Sequence, residues 1–367
     1  MKGCDMKIFS VFILMIVSSL SVHAAKNEVV KASDSAVDYV GRVKKYADGS
    51  VSYDWAGVYL RTRFTGTSVA IDAEDTAFEE YNVFIDGKQV SVVSFDKKRT
   101  RMVLAKGLAK GEHTLMFQKR NEGMTGRFTI HSFLLDKGAK LLSVVSKPQR
   151  LIEFVGNSIT CGYGTESTEI DHPYDPRTAD SNHGYGPIIA RYFDADYMLT
   201  SHSGQGIVKN WDDTVTMSKV CMLHRFTRLF DEGNEQWDFS VKPSLVCISL
   251  GTNDYSQAPK PSEAEFTGAY RQWLHIVREK YGDVPVLFIA PLAGEPSRTY
   301  MKRLVDSLSV NDKNVHYMAL YEEMMEEEPD LGPVRHPTYS GHRKMAMCII
   351  PYISKIMKWG LPVKTIE

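Results

Sequence analysis

Ser158 stands in Phe154-Val155-Gly156-Asn157-Ser158-Ile159-Thr160-Cys161-Gly162-Tyr163-Gly164, where an apolar run, Leu151 to Val155, meets a Gly-Asn-Ser turn. A turn of this kind presents a hydroxyl at the carboxyl end of a strand, beside the free N–H groups that open a helix. A nucleophilic serine needs an accessible Oγ with donors close to the oxyanion it creates. The same turn would also suit a serine that only caps a helix, so the reading depends on partners.

Three further segments supply them. Tyr197 to Ser201 is an extended run that stops at His202-Ser203-Gly204-Gln205-Gly206. Leu245 to Ser249 reads as a buried strand and ends in Leu250-Gly251-Thr252-Asn253-Asp254. His336-Pro337-Thr338-Tyr339-Ser340-Gly341-His342 leads into an apolar helix near the C-terminus. In an open α/β sheet the strand carboxyl ends converge on one edge, where ligand sites form. Together these turns offer a nucleophile, a backbone N–H, a side-chain amide and an imidazole, the inventory for acyl transfer.

With those blocks in that order, the chain resembles the SGNH (GDSL-type) hydrolases, whose four signature residues match Ser158, Gly204, Asn253 and His336. The wording Gly-Asn-Ser-Ile-Thr-Cys-Gly-Tyr-Gly, the Ser-x-Ser-Gly-x-Gly turn and a β-rich N-terminal part are similar to carbohydrate esterase family 2, the acetyl esterases of plant polysaccharides. This resemblance implies a jelly-roll domain followed by an SGNH domain, with the site near their junction. It implies Ser158 as nucleophile and His336 as base. The N–H groups of Ser158 and Gly204, with the Asn253 amide, would hold the oxyanion. One departure stands out: many SGNH enzymes place an aspartate three residues before the histidine, and Pro333 occupies that position here. A backbone carbonyl of Pro333 or Val334 would then orient the imidazole, as in some members of the family, with Asp330 folding back as the less favoured route.

Other residues have competing readings. His342 is the rival base, but it lies inside a helix pattern where histidines usually pack. Asp254 reads as a turn residue. Thr165 to Tyr185, which includes Asp171, His172, Asp175, Arg177, Asp180 and His183, reads as a solvated insertion, with a substrate-facing loop as the second reading. Trp211 and Tyr255 are candidate substrate contacts; for Trp211 a sugar-stacking and a core role are balanced. Gly162-Tyr163-Gly164 and Gly184-Tyr185-Gly186 lack the third glycine of a dinucleotide fingerprint, and Gly-x-Ser-x-Gly is missing. The 11 histidines show no metal-ligand spacing, so neither a metal nor a cofactor is expected.

These turns need a framework. At 367 residues, 43% hydrophobic and 24% charged, the chain is long enough for two cored domains. Residues 1–24 read as a secretory signal peptide: Lys2 and Lys7 precede an apolar core, Ile8 to Val22, which ends at Val22-His23-Ala24. A secreted or periplasmic protein with no membrane span in the mature chain is expected. Loss of Lys2, Lys7 and Asp5 moves the formal charge from −1 to −2, and no basic block offers a track for nucleic acid. Cys161, Cys221, Cys247 and Cys348 remain and read as mostly free, buried thiols.

Residues 25–147 carry short alternating runs divided by turns: Val58 to Phe64, Ser68 to Ala73, Tyr81 to Ile85 before Asp86-Gly87, Thr114 to Gln118 and Arg127 to Leu135. Without helices between them, they predict a jelly-roll-like β-sandwich. From 148 to 367 the rhythm becomes strand, turn, helix. Ser262 and Glu265 form a capping box before Phe266, Trp273, Leu274, Val277 and Tyr281 at helical spacing. Val284 to Ala290 and Asn314 to Leu320 complete an α/β domain with a parallel sheet between helices. The resulting expectation is a secreted serine esterase acting on an acetylated carbohydrate. A lipase, thioesterase or broad arylesterase on the same fold is the second reading, and a carbohydrate-binding protein with a decayed site the third.

Overall fold

The computed structural model describes residues 27–292 and 294–367. The signal-peptide reading of residues 1–24 therefore falls outside the described residues. The N-terminal part forms two packed antiparallel sheets. The first runs Lys44–Lys45, Val51–Tyr53, Phe128–Leu135, Val69–Asp75, Thr100–Ala105, with Glu28–Lys31 also paired to Phe128–Leu135. The second runs Leu141–Leu142, Tyr59–Gly66, Gly111–Lys119, Phe78–Ile85, Lys88–Asp96, with Asp38–Val40 also paired to Tyr59–Gly66. Period-two patterning drives this arrangement. Along Val69–Asp75 every second residue is buried, and Ile71, Phe64, Val83, Phe117 and Phe128 fill the space between the sheets. Asp86 and Gly87 have φ of 51° and 76° and join two strands through the pair Ile85 and Lys88, as a tight hairpin requires.

The second part is a five-stranded parallel sheet in the order Ala195–Ser201, Arg150–Gly156, Leu245–Ser249, Val286–Ala290, Val315–Ala319. Its inner strands are buried on both faces. Val155, Val246, Ile248 and Phe288 face one core, with Trp273 and Leu304 from the helices Glu263–Tyr281 and Ser297–Leu308. Phe154, Cys247, Leu287 and Ile289 face the other, with Ile188 and Ile349 from the helices Tyr185–Tyr192 and Tyr339–Met357. The capping box forms as expected: Ser262 Oγ accepts from Glu265 N at 3.2 Å, and Glu265 Oε2 accepts from Ser262 N at 2.7 Å. No helix among the described residues is long and apolar enough to cross a membrane. Cys161, Cys221 and Cys247 are buried, whereas Cys348 is exposed on the outer side of the last helix.

The two parts are bonded through buried charge. Arg42, only 2% exposed, reaches from the sandwich side to Glu153 Oε1 at 2.9 Å on the first parallel strand, and to the carbonyls of Phe226 and Arg228. Its guanidinium lies 4.1 Å from the Trp237 ring centroid. Glu153 also accepts from Thr200 Oγ1 at 2.6 Å and Tyr281 OH at 2.7 Å, so its charge is fully hydrogen-bonded. Tyr59 and Arg61 add bonds to Asp196. Removing one partner of a buried ion pair leaves an uncompensated charge. Arg42→Ala should therefore lower unfolding stability by about 3–5 kcal/mol, read from urea denaturation. An unchanged midpoint would show that the pair does not hold the two parts together.

Candidate active site

Ser158 begins the short helix Ser158–Cys161 directly after the Arg150–Gly156 strand. Asn157 caps that helix by accepting from Ile159 N at 3.2 Å, so the serine side chain is left free of the capping role. Gly156 is needed at the strand end, since a Cβ there would lie 2.0 Å from Thr160 Oγ1. The next two turns are bonded to this one. His202 N donates to Gly156 O at 3.3 Å, and Asn253 Nδ2 donates to Gln205 O at 2.8 Å. Ser158, Gly204 and Asn253, far apart in sequence, thus share one edge of the sheet. An amide nitrogen carries two hydrogens, so Asn253 retains one donor beyond the bond to Gln205.

Gly204 has φ +74° and accepts from Trp211 N at 2.9 Å. A Cβ on Gly204 would sit 2.5 Å from Trp211 Cδ1. Trp211 is therefore a half-exposed wall against the Gly204 turn, and not a core residue. The substrate-contact expectation for Tyr255 is corrected: its ring is buried against Phe266 and Tyr300, because its short 3-10 turn directs it inward. Asp254 does more than close a turn. Its buried carboxylate accepts from the N–H groups of Ile207, Val208 and Lys209 at 3.1, 2.9 and 3.0 Å, bracing the loop that follows Gly204. Burial pushes its pKa up to about 6, with those three N–H groups pulling the other way.

His336 completes the arrangement from the loop after the last strand. Its Nε2 lies 2.7 Å from Ser158 Oγ and its Nδ1 3.1 Å from the carbonyl of Pro333. A carbonyl only accepts, so Nδ1 carries the hydrogen and Nε2 offers its lone pair to the serine. Burial lowers the histidine pKa, opposed by the carbonyls of Pro333 and Val334. The ring stacks on Tyr163 at 4.1 Å, and Tyr163 stacks on Tyr174 at 4.4 Å. Tyr163 sits between two glycines, Gly162 and Gly164, which was its only signal in the sequence.

The rival base is elsewhere. His342 is fully buried, its Nδ1 accepts from Tyr185 N at 3.1 Å, and burial pushes its pKa down to about 3. Nor does Asp330 reach His336: it accepts from Ser340 Oγ at 2.7 Å, Lys344 Nζ at 2.5 Å and Glu326 N at 2.9 Å. Burial would raise its pKa, but these donors outweigh that and lower it. The solvated-insertion reading of Thr165 to Tyr185 holds for its middle, where Asp171, His172 and Arg177 are exposed, but not for its ends. Asp180, Ser181 and Tyr185 are buried, and Arg120 and Asn121 of the sandwich bind Glu166, Asp180 and the Pro176 carbonyl. Folding likewise brings together Glu166, Asp180 and His183, and His202, Asp231 and Glu232. Arg120 and Arg225 are inserted among those carboxylates, and such a cation opposes a metal ion at the same place.

Ser158 at the end of the first parallel strand lies in contact with His336, and Gly204 and Asn253 stand at the ends of neighbouring strands of the same sheet. Residues 154–344 match the model of the GDSL-like lipase/acylhydrolase family, and residues 39–144 match the carbohydrate esterase 2 N-terminal model. The chain belongs to the GDSL-like lipase/acylhydrolase family, in the form that carries a carbohydrate esterase 2 N-terminal domain. It is 24% identical over 360 residues to an acetylxylan esterase/glucomannan deacetylase of Cellvibrio japonicus, covering 95% of this chain and 98% of that protein. It is 27% identical over 312 residues to the cellulase/esterase CelE of Acetivibrio thermocellus, covering 83% of this chain but 38% of that longer protein. A family two carbohydrate esterase from Clostridium thermocellum, solved with cellohexaose, superposes with a TM-score of 0.83 at 26% identity, covering 88% of this chain and 100% of that one.

The bonding of Asp330 generates a test. Asp330→Asn weakens the tie to Lys344 and should lower the thermal midpoint, yet turnover should stay within about tenfold of wild type. A triad carboxylate behaves differently, its loss costing about 10⁴ in turnover. A loss of that size in folded Asp330→Asn protein would assign the missing acid to Asp330.

Proposed function

We propose that the protein is a serine esterase that removes acetyl groups from a plant-type polysaccharide or oligosaccharide through a Ser158–His336 dyad. The observation that carries the reading is the 2.7 Å contact between Ser158 Oγ and His336 Nε2, with Nδ1 turned to the Pro333 carbonyl. Ser158 attacks the acetyl carbonyl as His336 takes its proton. The tetrahedral oxyanion receives hydrogen bonds from the N–H groups of Ser158 and Gly204 and from the Asn253 amide. His336 then returns the proton to the departing sugar hydroxyl, which leaves an acetyl-serine. A water molecule, deprotonated by the same imidazole, attacks that ester and releases acetate. Every proton moves between side chains, substrate and water, so the reaction needs no cofactor.

The acetyl-carbohydrate substrate is supported by the names of the two relatives and by the cellohexaose complex of the structural neighbour. Trp211, exposed beside Gly204, is suited to stack on a sugar ring next to the scissile ester. The composition of residues 1–24 supports export to the periplasm or medium, where such polymers are met. The sandwich, roughly residues 25–147, and the hydrolase domain, 148–367, act as one unit in this reading.

Hydrolysis of acetylated xylan, acetylated glucomannan and a series of simple acyl esters by the mature chain tests the function. Acetyl esters should be cleaved much faster than long-chain ones, and Ser158→Ala and His336→Ala should each abolish turnover while His342→Ala, if folded, retains it. Preference for long-chain esters would favour a lipase; full activity in Ser158→Ala would end the dyad reading. Acidity gives a second check. The base must be neutral, and burial lowers its pKa, so kcat/KM should rise with pH through a midpoint below the ordinary histidine value of about 6.5 and then level off. An ascending limb centred above that value would contradict the assignment of His336.

A further inference from the structure

Glu122 belongs to the β-sandwich, on the turn between the strands Gly111–Lys119 and Phe128–Leu135, yet its carboxylate is spent inside the hydrolase domain. It is 3% exposed. Ser203 N donates to Oε2 at 2.8 Å, and Ser203 Oγ donates to Oε1 at 2.7 Å. Ser203 immediately precedes Gly204, and the peptide unit between them carries the Gly204 N–H. The Ser203 N–H lies on the peptide plane just before Ser203, so that plane and the Ser203 side chain are both clamped one residue ahead of the Gly204 N–H. On the far side, the peptide plane that follows Gly204 is fixed by the Trp211 N to Gly204 O bond of 2.9 Å, so the unit carrying the Gly204 N–H is held at both ends.

The turn bearing Glu122 is itself rigidly held. Lys119 Nζ and Thr125 N donate to the Glu122 carbonyl, and Lys119 forms a wholly buried ion pair with Glu79 at 2.6 Å. Asn121 accepts from Glu80 N at 2.7 Å and donates to Pro176 O at 2.6 Å. Lys119 and Arg120 accept through their carbonyls from Ser181 Oγ and Ser181 N, both at 3.0 Å. His202, next along, is held in turn by Asp231 at 2.8 Å, whose own N–H donates to Asp54 of the sandwich at 2.8 Å. The two residues ahead of Gly204 are thus both positioned by carboxylates whose anchorage is the sandwich.

We propose that Glu122 is a positioning residue for the oxyanion donor of Gly204, so that the β-sandwich completes the esterase site instead of only adjoining it. The proposal rests on the esterase reading above. Donors for a transition-state charge must be aimed before the reaction, and a displacement of about 1 Å costs on the order of 10²-fold. Losing the clamp should therefore act on the chemical step and leave ground-state sugar binding alone.

The test uses the full mature chain with an acetylated oligosaccharide. Glu122→Ala should lower kcat by about 100-fold while KM changes by less than about threefold, as expected for an interaction made mainly in the transition state. Affinity for an alkylboronic acid, which forms a tetrahedral adduct on Ser158, should fall in step with kcat/KM, and binding of the deacetylated oligosaccharide should not. Glu122→Gln should recover most of the activity, because its carbonyl accepts from Ser203 N and its amide donates to Ser203 Oγ. Should Glu122→Ala fail to fold, Glu122→Asp, one methylene too short, and Ser203→Ala must each lower kcat. Wild-type kcat in folded Glu122→Ala, or in both substitutes, overturns the proposal. So does a loss confined to KM, or a kcat loss with unchanged boronate affinity. Ser158→Ala is measured alongside: acetyl hydrolysis surviving there would defeat the esterase reading itself, an outcome the Glu122 variants cannot produce.

Discussion

One hydrogen bond, from His336 Nδ1 to the Pro333 carbonyl at 3.1 Å, decides which way the imidazole faces and which nitrogen is free for Ser158. The backbone is bent into an uncommon shape to make it. Val334 and Arg335 both adopt left-handed φ values, 54° and 57°, and a β-branched residue there is a true outlier. Such strain, on the order of 1–3 kcal/mol per residue, persists only where surrounding bonds over-determine it. They do here: Gly332 N donates to His336 O at 2.8 Å, Val334 N to Ile170 O at 2.9 Å and Thr338 N to Asp330 O at 2.8 Å. Pro333 also lacks an N–H to compete for the turn. The carboxylate of Asp330, lost to the imidazole, ties this loop to Ser340 and Lys344 of the last helix.

That tether shows how the labour is divided. In a triad, one carboxylate both orients the histidine and stabilises its charged form. In this chain a carbonyl dipole orients, and the carboxylate one turn away stabilises the loop that holds the carbonyl. The same division recurs across the cleft. Asp254 braces the segment after Gly204 through three N–H groups, Glu122 holds the residue before it, and Asp231 holds His202. Buried carboxylates therefore frame the donor side of the site without touching the reacting atoms. They require a dry interior, which the packing of the sandwich against the parallel sheet provides through Arg42, Trp55 and Tyr59.

The sequence was legible wherever the chemistry is local. Strand-to-turn transitions marked the segments that hold Ser158, Gly204 and Asn253, the family resemblance singled out Gly204 and Asn253 within them, helix rhythm found Trp273 and Val277 on one buried face, and Asp86-Gly87 marked a hairpin that forms. Pro333 at the acid position pointed to carbonyl orientation of His336, and the 3.1 Å contact has that form. What escaped depends on contacts between distant segments. Glu122 lies in Lys119-Arg120-Asn121-Glu122-Gly123, a polar run with no motif to single it out, yet all of Lys119, Arg120, Asn121 and Glu122 are nearly inaccessible. The ends of the Thr165 to Tyr185 stretch are answered in the same way, Glu166 and Asp180 by Arg120 from the sandwich, whereas its middle is solvated as its polarity suggests. Tyr255 looked available beside Asn253, but the direction of one short turn decides its burial. Polarity in sequence reports the need for a partner, and only the fold says whether that partner is water or protein.

A dyad oriented by a carbonyl has a consequence for how the site tolerates its surroundings. A carboxylate in contact with the imidazole raises the histidine pKa, whereas a neutral dipole opposes burial only weakly. Burial accordingly holds His336 below its ordinary value. In the proposed mechanism the cost falls on the intermediate, because an imidazolium formed as Ser158 attacks would have no adjacent carboxylate. The burden of lowering the barrier then shifts toward the oxyanion side, to donors whose aim must be exact within a fraction of an ångström. That requirement gives a physical reason for the heavy bracing around Gly204: the weaker the help for the positive charge, the more the site depends on rigidly placed partners for the negative one.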